Sequence, residues 1–149
     1  MATSILVPIN DSISSRAVVD FLVNISFCPE DSHITFIHIF RKPTSGEDLM
    51  GKKFMAELPE RLNAMLNKAK ERLVKEKGFK PEQIETLLLT DPYPSVTEGI
   101  IDFFKKKKYD MVVIGRKKMS KSEEFVLGDI SVKLVRTLDN TSVLVVKAE

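Results

Sequence analysis

The chain has 149 residues, 43% of them hydrophobic and 30% charged, and its 23 basic and 21 acidic residues leave a net charge of +2. This length predicts a single domain over residues 1–149, with a core large enough to be stable without disulfides. The composition excludes disordered and fibrous proteins, and so small a net charge does not indicate a nucleic-acid partner.

The first half of the chain alternates strand and helix patterns. Residues 4–10 form an apolar run that predicts a strand, and Asn10 begins a polar turn whose side chains can cap a helix. A helix with one apolar stripe is predicted over residues 13–25. Residues 34–40 predict the second strand, and residues 41–53 are a long polar connection, typical of a lid or a disordered segment.

The next segments continue the alternation. Residues 55–73 carry the longest amphipathic pattern, which predicts a helix closed by Gly78. Residues 84–90 predict a third strand. The following helix begins either with Pro94 at its first helical position or with Ser95 in a capping box. Its predicted inward residues are Val96, Ile100, Phe103 and Phe104.

A glycine-bounded segment follows the fourth predicted strand. The strand is the buried apolar run of residues 111–114, and it is predicted to stop at Gly115. A basic segment then leads to Gly128, after which an apolar pattern at helical spacing begins at Ile130. A strand, a glycine loop and a helix together place backbone N–H groups around an anion. Residues 142–147 predict the last strand.

The alternation of strands and helices predicts the topology. It indicates βαβ units, a parallel sheet with right-handed crossovers, and helices on both faces. In such α/β sheets, ligands bind outside the carboxyl ends of the strands where the strand order reverses. Asn10 and Gly115 both lie at strand ends of that kind.

These residues resemble the universal stress protein family over nearly the whole chain. The resemblance is carried by Ile5-Leu-Val-Pro-Ile-Asn10 with Ser12, by His38-Ile39, and by residues 110–115 and 143–147. It implies a Rossmann-like α/β fold with a five-stranded parallel sheet in the order 3-2-1-4-5. It also implies, for ATP-binding members, a Gly-x2-Gly-x9-Gly-Ser/Thr motif after strand four.

This chain keeps the spacing of that motif but changes two of its four positions, because Lys118 replaces the second glycine and Asp129 the hydroxyl residue. The resemblance also places Asn10 where an aspartate is usual. The residues that it assigns to a nucleotide are Pro8, Ile9, Asn10, Ile39, Ile114, Gly115, Lys118, Gly128, Asp129 and Ile130.

The two changes have a predictable effect on phosphate binding. If the second motif position needs a left-handed backbone, Lys118 costs about 1–2 kcal/mol there. Asp129 lacks a hydroxyl donor worth about 1.5–3 kcal/mol to a charged acceptor, and its carboxylate repels phosphate. The sum is on the order of 3 kcal/mol or more, or over about a hundredfold in affinity. A triphosphate is therefore predicted to bind poorly.

The basic residues of the same segment leave an alternative open. Arg116, Lys117, Lys118 and Lys121 could bind phosphate as point charges. They could equally be solvated surface charges, since charged loop side chains normally face water.

The sequence gives no motif for catalysis. It has no Gly-x-Ser-x-Gly elbow, Walker loop or Gly-x-Gly-x-x-Gly, and neither His33 nor His38 has partners at metal-ligand spacing. We therefore expect a non-catalytic stress-response regulatory or interaction protein with a degenerate ATP motif, without a metal or a cofactor. The alternatives are a switch that binds ATP or AMP through its basic loop, and a slow ATP hydrolase.

Further expectations concern partners and location. The apolar strand from Val143 to Val146 would lie at a sheet edge, and the resemblance implies a homodimer through it. The run from Lys105 to Lys108 fits a solvated helix end better than a nucleic-acid contact. Because Cys28 is the only cysteine and no apolar run reaches about 18 residues, we expect a cytoplasmic protein without a membrane anchor.

Overall fold

The computed structural model describes residues 3–10, 12–25, 28–41, 52–117 and 130–148. The strands are β1 (Thr3–Pro8), β2 (Ser32–Ile39), β3 (Ile84–Leu89), β4 (Met111–Lys117) and β5 (Ser142–Ala148), and the helices are α1 (Ile13–Asn24), α2 (Lys52–Arg72), α3 (Val96–Lys107) and α4 (Ile130–Thr137).

The strands form one five-stranded parallel sheet in the order β3-β2-β1-β4-β5, which confirms the predicted α/β fold. β1 lies at the centre of the sheet. The strands β2 and β3 are added on one side of β1 and the last two on the other, so the strand order reverses between β1 and β4. This reversal opens a crevice at the carboxyl ends of the central strands, where α/β proteins bind ligands.

A separate apolar cluster fills each face of the sheet. Because successive strand side chains point to opposite faces, Ile5 and Val7 of β1 lie on one face and Leu6 lies on the other. The first face packs against α1 and α2, and the second against α3 and α4. Burial on both faces explains why the strands are continuous apolar runs.

The fourth strand is longer than predicted. β4 continues past Gly115 to Lys117, since Gly115, Arg116 and Lys117 pair with Val146, Lys147 and Ala148 of β5. Arg116 and Lys117 therefore belong to a strand and not to a phosphate loop. The apolar criterion missed this extension because backbone pairing does not require an apolar side chain.

The long helix ends at Gly78 as predicted, and the start of α3 settles the choice that the sequence leaves open. The long helix passes into a π-helical turn, Leu73–Lys77, which ends at Gly78 with a left-handed φ of 86°. Ser95 caps α3, since its hydroxyl accepts a hydrogen bond from the Glu98 N–H at 3.1 Å, and Pro94 is therefore not the first helical residue. Val96, predicted to point inward, is 37% exposed.

Three further predictions concern the polar connection, membrane spans and Cys28. Residues 42–51 of the polar connection lie outside the described residues. In the described part of the chain, no helix combines the length and apolarity that a bilayer span requires. Cys28, the only cysteine of the sequence, is exposed.

The cap of α3 gives a test of the fold. Ser95→Ala removes the side-chain acceptor of the first helical turn, so the free energy of unfolding should fall by about 1 kcal/mol. Urea denaturation measures this loss. Thr97→Ala, in the same turn but not at the cap, is the matched control, and equal losses in the two variants would contradict the capping role.

Candidate functional site

A cleft of about 100 Å³ lies at the carboxyl ends of β1, β2 and β4. Its lining residues are Pro8, Ile9, Asn10, Ser14, Ser15, His38, Ile39, Val96, Ile100, Ile114, Gly115 and Ile130. The predicted nucleotide residues among them are Pro8, Ile9, Asn10, Ile39, Ile114, Gly115 and Ile130. The other three, Lys118, Gly128 and Asp129, lie outside the described residues, and nucleotide binding itself stays a prediction.

Asn10 is held by the first turn of α1. The Ser15 hydroxyl accepts a hydrogen bond from the Asn10 backbone N–H and donates one to Asn10 Oδ1, both at 2.8 Å. Ser12 caps the helix by accepting from the Ser15 N–H at 3.1 Å. Ser15 thus fixes the Asn10 side chain, which offers a ligand amide donors where a carboxylate could only accept.

His38 is oriented from the back of the cleft. Its Nδ1 lies 2.8 Å from the carbonyl oxygen of Ile9, and a carbonyl can only accept, so Nδ1 carries the proton. Nε2 of a neutral imidazole is then an acceptor. The side chain is half-buried among the apolar neighbours of its strand.

Gly115 has a packing role that the motif did not suggest. A Cβ at this position would lie 2.5 Å from the carbonyl oxygen of Ser14 and 3.0 Å from Cγ2 of Val18. The backbone of β4 therefore touches the start of α1 directly. This close approach needs glycine whether or not an anion binds nearby.

Gly99 makes a similar approach on the opposite side of the sheet. A Cβ there would lie 2.9 Å from Cδ1 of Ile39 and 3.0 Å from Cδ2 of Tyr93. Tyr93 is anchored by a hydrogen bond from its hydroxyl to Asp102 at 2.6 Å. This hydrogen bond raises the pKa of Tyr93 and lowers the pKa of Asp102. A second hydrogen bond, from Lys106, lowers the pKa of Asp102 further.

The mouth of the cleft carries two exposed apolar side chains. Val96 is 37% exposed and Ile130 is 42% exposed. They are the first residues of α3 and α4, and Lys133 and Glu98 join these helices through a salt bridge of 2.5 Å. An exposed apolar pair beside a cleft is typical of a site that an aromatic or apolar ligand group covers.

The chemistry of the cleft is apolar and hydrogen-bonding. No lysine, arginine, aspartate or glutamate is among the described residues that line it. The first turns of α1, α3 and α4 all contribute to its walls, and helix N-termini favour anions. Its volume is below the roughly 300–1,000 Å³ of most ligand pockets, so the described walls can hold only part of a nucleotide.

Sequence reasoning missed five of the lining residues. They are Ser14, Ser15, His38, Val96 and Ile100. A signal existed for the residues of α1 and α3, because the first turn of a helix that follows a parallel strand lies at the ligand edge of the sheet. His38 precedes Ile39 at the carboxyl end of the second strand, so the same rule could have identified it.

The sequence matches a known family and the fold matches solved structures. Residues 1–147 match the universal stress protein family. Among curated proteins none matches the sequence. One similar structure is a universal stress protein in complex with cAMP, with a TM-score of 0.65 and 18% identity over 97% of this chain and 95% of that one.

Two further structures have the same fold. A universal stress protein family protein from Arabidopsis thaliana with AMP bound has a TM-score of 0.59 and 18% identity over 99% of this chain and 92% of that one. The universal stress protein from Archaeoglobus fulgidus in complex with dAMP has a TM-score of 0.59 and 17% identity over 97% and 98% of the two chains.

The two close-packed glycines predict different responses to alanine. Gly115→Ala should lower the free energy of unfolding by about 1–3 kcal/mol, because its Cβ meets backbone atoms of α1 that cannot move alone. Gly99→Ala should cost less, since its Cβ meets side-chain atoms and alanine favours the helix by about 1 kcal/mol. Urea denaturation of both variants gives the comparison, and the reverse order would contradict the packing described here.

Proposed function

Since the chain belongs to the universal stress protein family, we propose that it is a non-catalytic regulatory protein whose cleft binds adenosine monophosphates and holds ATP poorly. The sequence lacks the hydrolase, kinase and dehydrogenase motifs, which supports the absence of turnover.

One observation carries the proposal: the described walls of the cleft at the ends of β1, β2 and β4 are apolar and uncharged, and two polar groups, Asn10 and His38, are fixed in them. Ile39 and Ile114 provide apolar contact for a base or ribose. Val96 and Ile130 flank the opening. Asn10 provides polar atoms at the end of β1. This combination suits a nucleoside better than a bare polyanion.

The ligands of similar structures and the two motif changes support a preference for nucleotides with few phosphates. The similar structures hold cAMP, AMP and dAMP, each with a single phosphate. Helix N-termini at the cleft can favour one such anion without a charged side chain. Lys118 and Asp129 replace a glycine and a hydroxyl of the family's ATP motif, and these changes weaken contacts that a triphosphate needs most.

We also propose that two chains associate through β5. The strand has β4 as its neighbour on one side and is the last strand of the described sheet. Its residues Val143 to Val146 are apolar and half-buried. An exposed apolar edge tends to pair with another chain, and two copies of one edge can pair around a two-fold axis.

The nucleotide preference is tested by restoring the family motif. The Lys118→Gly, Asp129→Ser double variant should bind ATP at least about a hundredfold more tightly than the wild type, because it removes penalties of about 3 kcal/mol. AMP affinity should change much less. Isothermal titration with ATP, AMP and Mg²⁺ measures both, and Lys105→Gly, Asp139→Ser is the control. An unchanged ATP affinity in the motif variant would contradict the account.

The dimer is tested at the centre of the edge strand. Val145→Lys would place like charges near each other in an antiparallel pair and should yield monomers, whereas Val145→Thr keeps a β-branched side chain and should remain dimeric. Light scattering should give twice the 16.9 kDa chain mass for the wild type. A wild-type monomer at about 100 μM would rule out association at the micromolar affinities typical of weak dimers.

A further inference from the structure

A second and larger cleft, of about 430 Å³, lies between α1 and α2 on one face of the sheet. Its lining residues are Ile9, Asn10, Ser15, Arg16, Val19, Asp20, Arg61, Ala64, Met65, Lys68, Ala69 and Arg72. This volume is within the roughly 300–1,000 Å³ range of small-molecule sites.

The floor of this cleft is apolar. Ile9, Val19 and Ala69 are each 6% exposed and belong to the core cluster of this face. Met65 is half-buried against the same cluster, and its flexible thioether can adapt to different ligand shapes. Apolar groups of a ligand would therefore find a continuous surface at the bottom of the cleft.

The rim of the cleft is positively charged. Arg16, Arg61, Lys68 and Arg72 line it, against one carboxylate, Asp20. Arg72 pairs with Asp20 at 2.5 Å, so the charges of these two side chains largely cancel. The lining thus has a surplus of cations beside an apolar floor.

The four cations do not have the same role. Arg72 also binds Glu76 at 2.7 Å, and this double pairing connects α2 to α1. Arg72 is therefore a structural wall of the cleft. Arg61 lies 3.9 Å from Glu57, and an exposed ion pair of this kind contributes little to stability.

We propose that this cleft binds a small organic anion, a carboxylate, sulfonate or phosphate attached to an apolar body. The apolar body packs on Val19, Met65 and Ala69, and the anionic group lies near Arg61 and Lys68. A cation lacks the negative charge and a bare inorganic anion lacks the apolar body, so both should bind more weakly than an organic anion.

This site is separate from the nucleotide cleft although the two share a wall. Ile9, Asn10 and Ser15 line both clefts. Ala64, Met65 and Lys68 line only the cleft described here, and Val96 and Ile114 line only the other. Substitutions on α2 therefore test this proposal without altering the residues on which the proposed nucleotide binding depends.

The probe pair for the test is 8-anilinonaphthalene-1-sulfonate and N-phenyl-1-naphthylamine, which share one aromatic body and differ by the sulfonate. Fluorescence titration of the full-length wild type should show the sulfonate binding at least tenfold more tightly than the neutral probe. Equal affinities, or no saturable binding of the sulfonate, would overturn the proposal.

The matched variants are Ala64→Glu and Ala64→Gln, which add side chains of the same size at an exposed helical position. The glutamate both repels an anion and can pair with Lys68 four residues on. Ala64→Glu should therefore bind the sulfonate on the order of tenfold more weakly than Ala64→Gln. Similar binding by the two variants would show that the probe binds elsewhere and would overturn the proposal.

A second pair removes charge instead of adding it. Lys68→Gln should weaken sulfonate binding on the order of fivefold, while Lys105→Gln, on α3 at the opposite face of the sheet, should leave it unchanged. Equal losses in the two variants would indicate attraction by net charge alone and would contradict a built site.

Discussion

The direct contact between the backbone of β4 at Gly115 and the first turn of α1 at Ser14 determines the geometry of the functional edge. No side chain separates the two elements, since even a Cβ on Gly115 would lie 2.5 Å from the Ser14 carbonyl oxygen. The close approach brings the turn after β1 against the carboxyl end of β4. Asn10, which lies in that turn, is then fixed by Ser15. The cleft depends on this arrangement.

The same turn divides the edge into two chemically different clefts. Ser15 and Asn10 form a hydrogen-bonded partition, with a cleft whose described walls are uncharged toward α3 and α4 and a basic cleft toward α2. The difference follows from the helices, because the first cleft is lined by helix N-termini and isoleucines whereas the second is lined by the cationic face of α2. One short segment can thus contribute to two sites of different preference.

The fold could be predicted from the sequence because its signals are regular. Continuous apolar runs, an amphipathic helix between successive strands and Gly78 at a helix end all agree with one another. Strand bounds were less predictable, as β4 shows, since pairing at Arg116 and Lys117 leaves no apolar signal. The resemblance alone assigned residues to a nucleotide, and seven of those residues line the cleft described here. The packing role of Gly115, the partition by Ser15 and the basic cleft depend on contacts between distant elements, which no local pattern encodes.

The central claim is that the cleft holds the adenosine part of a nucleotide while rejecting a triphosphate. A methyl NMR titration of the wild type tests it most directly, because Ile39 and Ile114 line the nucleotide cleft and Met65 lines only the basic one. AMP should shift the signals of Ile39 and Ile114 in a saturable manner and leave Met65 unchanged, and ATP should require far higher concentrations. ATP that binds as tightly as AMP, or AMP shifts confined to Met65, would contradict the account.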